Sequence, residues 1–256
     1  MHLFTTTLPG LAAVAALIFT WISIDQASDE LSISEQGQIA DRYDAAVEKL
    51  VNPSVDVRRG AIYSLQSIMA DSPRTQPAVI DMLSKYIRDR ATKKSVTAEK
   101  APDVQAALYT LGNRDSAHDA NAVVDLRGVR LRELDLTGVD LSRADLREAV
   151  LTGGDLAKAD LSGANLESAV LGDANLSGAD LTGAVVERTD LRGADLTDAD
   201  LDRADLTGAR LDRANLTGTT WKDTVLTGVH RPEGDLPDIT SSPAPQTSRT
   251  PSPDRT

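Results

Sequence analysis

A leucine recurs at every fifth position through the C-terminal half of the chain. The step from Leu126 to Leu226 defines 21 positions, of which 19 hold leucine and the others hold Val186 and Trp221. No insertion or deletion interrupts the spacing. A five-residue period matches neither the helical period of 3.6 nor the strand period of 2. It indicates a coil with short sides, each of which buries two residues.

The residues around each leucine recur as well. Alanine commonly stands two positions before the leucine and Asp or Asn one position before it, as in ADLSGANLESAVLGDANLSGADLTGA over Ala159 to Ala184. This pattern resembles the A(D/N)LXX motif of the pentapeptide repeat family, over roughly residues 121–230. The resemblance implies an all-β right-handed quadrilateral β-helix with four pentapeptides per coil, and about five coils in this chain.

Within such a coil, the central leucine and the small residue two positions before it point inward. The predicted structural core therefore includes Leu146, Leu156, Leu166, Leu176, Leu196, Leu206, Ala164 and Ala174. A bulky residue at the small position would overpack the interior. The first repeats nevertheless carry larger residues there, namely Val124, Val129, Leu134 and Val139. We expect either a looser first coil or a contact with the preceding region.

The Asp or Asn beside each leucine is expected to point outward, and outward residues stack at intervals of 20. One face then carries a column of candidate partner-binding carboxylates, Asp140, Asp160, Asp180 and Asp200. The next face carries Asp135, Asp155, Asn175, Asp195 and Asn215. Like charges that are stacked a strand apart cost stability. Such columns are therefore either solvated and screened or retained for a basic partner.

Val150 and Val170 form a second candidate partner-binding surface. They stand where the family prefers Asp or Asn, on a face flanked by Arg130 and Arg210. Two stacked valines make a small apolar strip, which is below the size that marks an interface by itself. A tolerated substitution on a stable ladder is the alternative interpretation.

The N-terminal region contains an uncharged apolar run from Leu8 to Ile24. Its 17 residues are at the short end of what crosses a bilayer as a helix, and Trp21 lies near one end, where aromatic rings favour the headgroup region. We interpret it as a single-pass membrane anchor. A signal peptide and a buried helix are the alternatives, although no Lys or Arg precedes the run. Arg42, on the C-terminal side, favours a cytoplasmic body.

These observations predict four segments. Residues 1–28 form the anchor, residues 29–120 a helical region of about four helices that caps the solenoid, and residues 121–230 the repeats. Residues 231–256 contain six prolines and few large apolar side chains, a composition typical of a disordered tail. The order of helices and repeats resembles actinobacterial membrane-anchored members of the family.

Composition argues against several kinds of site. The chain has no cysteine, its three histidines (His2, His118 and His230) lie far apart, and no phosphate-binding loop motif is present. We therefore expect no catalytic residue, cofactor or metal, and a protein that is not an enzyme. The net charge of −12 disfavours direct binding of nucleic acid.

The sequence favours a membrane-tethered, non-catalytic scaffold for an unidentified protein partner. The alternative comes from the family, because some pentapeptide repeat proteins resemble B-DNA in shape and charge and bind type II topoisomerases such as gyrase. The Asp columns fit that alternative. However, residues 121–230 carry 16 Asp and 4 Glu against 10 Arg and 2 Lys, a charge density well below that of duplex DNA.

Overall fold

A computed structural model describes residues 35–92, 96–97 and 99–230. The predicted anchor at residues 8–24 and the predicted tail at residues 231–256 lie outside this part of the chain. Among the described helices, none has both the length and the apolar character required to cross a membrane. The anchor therefore stays a prediction.

The first part of the described chain is helical. Its helices are α1 at 35–49, α2 at Val55–Asp71, α3 at Gln76–Ala91 and α4 at Pro102–Gly112, with short 3-10 turns at Pro73–Thr75 and Ser116–His118. Pro77 and Pro102 stand in the first turns of α3 and α4, where a missing N–H costs nothing. Ser54 precedes α2, and its side chain makes no capping hydrogen bond.

The helices pack around aliphatic side chains. Fully buried residues of this core include Ile62, Leu65, Ile68, Ile80, Leu83, Ile87, Leu108 and Leu111. A buried ion pair also joins two of the helices, since the Nε of Arg58 in α2 lies 2.6 Å from the carboxylate of Asp103 in α4. The hydroxyl of Tyr86 in α3 donates to the same carboxylate at 2.5 Å, so one acidic group links α2, α3 and α4.

The repeats form a solenoid in which the residue before each central leucine pairs with the residue 20 positions later. Parallel β-bridges connect Asp125 with Asp145, Asp145 with Asn165, and so on as far as Arg210 with His230. From Leu126 to Leu211, the N–H of each central leucine donates to a carbonyl of the following coil, as from Leu146 to Asn165 at 2.8 Å. The predicted register of four pentapeptides per coil is therefore present in the structure.

Leucine and alanine fill the interior as predicted. All eight of the predicted core residues are at most 1% exposed: Leu146, Leu156, Leu166, Leu176, Leu196, Leu206, Ala164 and Ala174. The corner of each repeat lies two residues after the leucine, where the backbone commonly has a positive φ, for example 64° at Gly163 and 57° at Arg143. Glycine tolerates this conformation without strain, which explains its frequency at this position.

The helical region contacts the first coil directly. The N–H of Arg130 donates to the carbonyl of Ala91 at the end of α3, and the N–H of Asp140 donates to the carbonyl of Gly112 at the end of α4, both at 2.8 Å. The larger residues at the small inward positions are buried, with Val139 directly beside Gly112. Of the two expectations for the first coil, the contact with the helical region is the one observed.

The C-terminal end of the solenoid departs from the repeat motif. Leu216, Trp221 and Leu226 are only partly buried, and the Nε1 of Trp221 has no hydrogen-bond partner among the described residues. The Trp221 ring packs against the end of the core and stays partly exposed. Thr219 and Thr224 replace alanine there, and their hydroxyls donate to backbone carbonyls of the preceding coil, at 3.1 Å to Leu196 and 2.8 Å to Leu201.

Candidate partner-binding surface of the solenoid

The carboxylates of one column lie directly above one another. Bridges connect Asp140 with Asp160, Asp160 with Asp180, and Asp180 with Asp200. We call these four residues the Asp140 column. All four are at least partly exposed, so the structure places them on the outside of the solenoid and brings them together as the spacing predicts.

Each carboxylate of the Asp140 column is held by its own backbone. The Oδ1 atom accepts a hydrogen bond from the N–H two residues later, at 2.9 Å for Asp160 and 2.8 Å for Asp180. Asp140 and Asp200 make the same bond, at 3.0 and 2.9 Å. The sequence prediction considered these side chains as either solvated or retained for a basic partner, and it missed this turn-stabilising role.

The same hydrogen bonds affect protonation. Burial by itself raises the pKa of Asp140, but hydrogen bonds from Ser142 and Ser116, together with the charge of Arg114, outweigh it, and the net pKa lies below its ordinary value. The backbone N–H of Asp202 lowers the pKa of Asp200. A carboxylate whose pKa is lowered in this way stays ionised, so Asp140 and Asp200 present fixed negative charge at neutral pH.

The neighbouring column is less charged. It contains Asp135, Asp155, Asn175, Asp195 and Asn215, joined by bridges from each residue to the next. The amide of Asn175 donates to the carboxylate of Asp155 at 2.9 Å, and the amide of Asn215 donates to the hydroxyl of Thr197 at 2.8 Å. These amides relieve the repulsion that stacked carboxylates alone would create. The strongest uninterrupted negative charge therefore lies on the Asp140 column.

The apolar strip consists of the two stacked valines that the sequence predicts. Val150 and Val170 pair with one another and are half-buried. Asp190 pairs with Val170 and lies between it and Arg210, so Arg210 does not flank the valines directly. Asp190 is itself engaged, because Arg192 donates to its two carboxylate oxygens at 2.7 and 2.5 Å. The strip thus ends at a neutral ion pair.

Sequence reasoning missed a set of arginines on the face of the solenoid that carries Leu126 and Leu146, which we call the Leu126 face. Arg127 and Arg147 stand 20 residues apart, each one position after a core leucine, and both pair with aspartates of the same face. The signal was available, since Asp125 and Asp145 recur at the same interval. The pairing of Arg88 from α3 with Asp125 could not be predicted, because the sequence does not show where a helix meets the coil.

Comparison with known proteins identifies the repeats. The model for pentapeptide repeats matches residues 125–163 and 159–198, with eight copies. A pentapeptide repeat protein from Nostoc is 38% identical to this chain; the match covers 38% of this chain and 78% of that one, with a TM-score of 0.31. The chain belongs to the pentapeptide repeat family. Its fold class, by membership, is the right-handed quadrilateral β-helix.

Other pentapeptide repeat proteins of known structure have comparable sequence identity to this chain. A pentapeptide repeat protein from the thylakoid lumen of Arabidopsis thaliana is 32% identical, with coverage of 43% of this chain and 71% of that one and a TM-score of 0.28. One from the cyanobacterium Cyanothece 51142 is 39% identical, with a TM-score of 0.33, and covers 37% of this chain. This chain spans only 61% of the Cyanothece protein. No curated protein matches.

Among the described residues, no group of His, Cys, Asp or Glu has a geometry suited to a metal ion. The carboxylates of the solenoid instead occupy repeat positions on a regular surface. What this pentapeptide repeat domain offers chemically is an array of fixed charges at intervals of one strand, together with the small apolar strip of Val150 and Val170.

Proposed function

We propose that this pentapeptide repeat protein is a non-catalytic interaction scaffold, an acidic rod tethered to a membrane through residues 8–24. The observation that carries the proposal is the filled interior of the solenoid, in which Leu156, Leu176 and Leu196 are fully buried. A packed interior of this kind leaves recognition to the outer surface, whereas a catalytic acid or base requires a concave, partly desolvated setting.

The Asp140 column is the part of that surface best suited to a basic partner. Its hydrogen bonds to the backbone use Oδ1, so the Oδ2 of Asp160 and Asp180 has no hydrogen-bond donor among the described residues. The same bonds fix the carboxylates before a partner arrives. Side chains that are already ordered lose less entropy on binding, and complementary charge accelerates and orients the encounter.

Proximity labelling of native membranes with the full chain tests the partner. The variant Asp160→Asn/Asp180→Asn/Asp200→Asn removes three charges but keeps the Oδ1 acceptors. The matched control, Asp135→Asn/Asp155→Asn/Asp195→Asn, removes three charges from the neighbouring column. We expect a basic partner to be lost from the first variant and retained by the second. Identical labelling by both variants and the parent chain would exclude the Asp140 column as the binding surface.

Membrane fractionation tests the tether separately. We expect the full chain to sediment with membranes and to resist carbonate extraction, because an apolar helix through the bilayer is not released by high pH. A variant with Val14→Asp and Leu17→Arg should move to the soluble fraction, since charges at the bilayer centre are costly. Recovery of the intact parent chain in the soluble fraction contradicts the tether.

A second candidate function is binding to a type II topoisomerase. The uninterrupted stacking of Asp140, Asp160, Asp180 and Asp200 is the observation that favours it. In a supercoiling assay, micromolar full chain should inhibit gyrase, and the Asp160/Asp180/Asp200 asparagine variant should not. Absence of inhibition by the parent chain removes this candidate and leaves the scaffold proposal unaffected.

A further inference from the structure

A surface pocket lies where α3 meets the first two coils of the solenoid. Three arginines line it, Arg88 from α3 and Arg127 and Arg147 from the Leu126 face, together with Gly128 and Glu148. Three guanidinium groups around one pocket are notable in a chain with a net charge of −12. We call this the arginine pocket.

Two aspartates hold the arginines in place. The Nε and Nη2 atoms of Arg127 donate to the two oxygens of Asp125, at 3.0 and 2.8 Å, and Arg147 engages Asp145 in the same way at 2.9 and 2.6 Å. The Nη1 of Arg88 donates to the carbonyl of Asp125 at 2.6 Å and lies 2.9 Å from its Oδ2. These bonds fix the three side chains before any ligand binds.

The same bonds leave donors unused. Among the described residues, the Nη1 atoms of Arg127 and Arg147 donate to no protein acceptor, and neither does the Nη2 of Arg88. The oxygens of Asp125 and Asp145 are by contrast occupied. The hydrogen bonds from Arg127 and Arg147 lower the pKa values of Asp125 and Asp145 respectively, so both carboxylates remain ionised.

Gly128 provides the space. It occupies the corner position that Glu148, Ser168 and Arg188 fill in the following coils. A Cβ placed on Gly128 would meet no atom within 4 Å. The first coil therefore carries no side chain at this corner, where Gly128 lines the pocket together with the three arginines.

We infer that the arginine pocket binds a phosphate-type oxyanion. Guanidinium groups match the geometry of phosphate oxygens and retain their charge at all accessible pH values. Glu148 is the one carboxylate that lines the pocket, and it opposes an anion. The phosphate comes either from a soluble molecule or from an anionic lipid headgroup. The inference does not depend on the scaffold proposal, because the pocket and the Asp140 column consist of different residues.

Calorimetric titration of the full chain in uncharged detergent with inorganic phosphate, at constant ionic strength, tests the inference. We expect saturable binding that Arg147→Gln weakens by about tenfold, the loss of one charge-assisted contact. Arg213→Gln removes the same charge from an exposed site near the other end of the solenoid and should leave the affinity unchanged. Glu148→Gln should increase the affinity several-fold, because it removes the opposing charge. The unfolding midpoint of each variant verifies that it is folded.

A second titration identifies the source of the phosphate. Dihexanoyl phosphatidylglycerol, below the concentration at which it forms micelles, replaces inorganic phosphate. Tighter binding of this lipid, with the same response to the variants, assigns the site to a lipid headgroup, and tighter binding of inorganic phosphate assigns it to a soluble ligand. Three results overturn the inference: no saturable binding of either probe, equal loss in Arg147→Gln and Arg213→Gln, or displacement of phosphate by equimolar acetate.

Discussion

Val96 and Leu131 pair in a parallel β-bridge at the edge of the first coil. The N–H of Val96 donates to the carbonyl of Arg130 at 2.9 Å, and the N–H of Arg132 donates to the carbonyl of Val96 at 3.0 Å. The segment between α3 and α4 thus satisfies backbone groups that an open edge would leave unpaired. An unprotected edge invites pairing with other chains, so this bridge contributes to keeping the solenoid from associating at its N-terminal end.

Substitution of Val96 by proline should therefore destabilise the junction. Proline lacks the N–H that donates to Arg130, and we expect a loss of about 1–3 kcal/mol in the free energy of unfolding. Urea denaturation measures the loss, and hydrogen exchange at the Arg132 amide should accelerate. Val96→Ala keeps both backbone bonds and should be much milder. Equal effects of the two substitutions would show that side-chain packing, rather than the bridge, matters here.

Two glycines in the helices should respond in opposite directions to alanine. A Cβ on Gly112 would lie 2.5 Å from the Cβ of Val139 in the first coil, so Gly112→Ala should cost about 1–3 kcal/mol through overpacking. A Cβ on Gly60, inside α2, would meet nothing within 4 Å. Gly60→Ala should stabilise by about 0.5–1 kcal/mol, because glycine is unfavourable in a helix. Chemical denaturation of both variants measures the signs, and a tolerated Gly112→Ala would contradict the close contact between α4 and the coil.

The Asp140 column allows charge and hydrogen bonding to be separated. Asp180→Asn keeps an Oδ1 acceptor for the N–H of Thr182 and removes a charge from the column. We expect a change within about 0.5 kcal/mol, in the stabilising direction. Asp180→Ala removes the acceptor as well and should cost about 1 kcal/mol. If thermal unfolding shows equal losses for the two variants, the negative charge itself supports the fold.

The inward leucines should tolerate almost no polarity. Leu176 is fully buried, so Leu176→Asp places an unpaired carboxylate in the interior and should cost more than about 4 kcal/mol. Leu176→Met conserves volume and should cost less than about 1.5 kcal/mol. Circular dichroism during heating compares the two variants. A folded and stable Leu176→Asp variant would mean that the side chain does not point inward.

Acid should lower the stability of the solenoid, because several of its aspartates have lowered pKa values. Hydrogen bonds from Arg127, Arg147 and Arg192 lower the pKa values of Asp125, Asp145 and Asp190 below the ordinary value of 3.8. The resulting stability is complete above pH 3.8 and is lost as the pH falls through the folded-state pKa values, because the unfolded chain then binds more protons. The urea midpoint should decline below about pH 4. Asp145→Asn should show a smaller decline, and an unchanged decline would assign the effect to other carboxylates.

How much of this architecture is visible in the sequence depends on the range of the contact involved. The five-residue step predicts the inward position of Leu176 and Ala174, because every coil repeats the same local environment. It also predicts that Asp160 stacks on Asp140. The bonds from Oδ1 to the backbone were missed because a motif of residue types does not show side-chain orientation. Asn occurs at the same repeat position as Asp and also has an Oδ1 acceptor. This shared acceptor was the signal from which the hydrogen bonds could have been predicted.

The sequence predicts that the helical region meets the first coil, but it does not predict which residues make the contacts. Val96, Arg88 and Gly112 each contact a coil that lies 27 to 37 residues later in the chain. Such pairings depend on how α3 and α4 pack, which no local pattern encodes.

The 20-residue pairing register also governs how this rod can change in length. Deletion of one whole coil would bring the parts of the rod on either side of it closer by a single strand spacing. Every remaining carboxylate would still face its original direction. Deletion of one pentapeptide would instead rotate the repeats that follow it by a quarter turn. The Asp140 column would then be divided between two faces of the solenoid. A change in the number of repeats therefore preserves the direction of the charges relative to the helical region only when it adds or removes a multiple of four repeats.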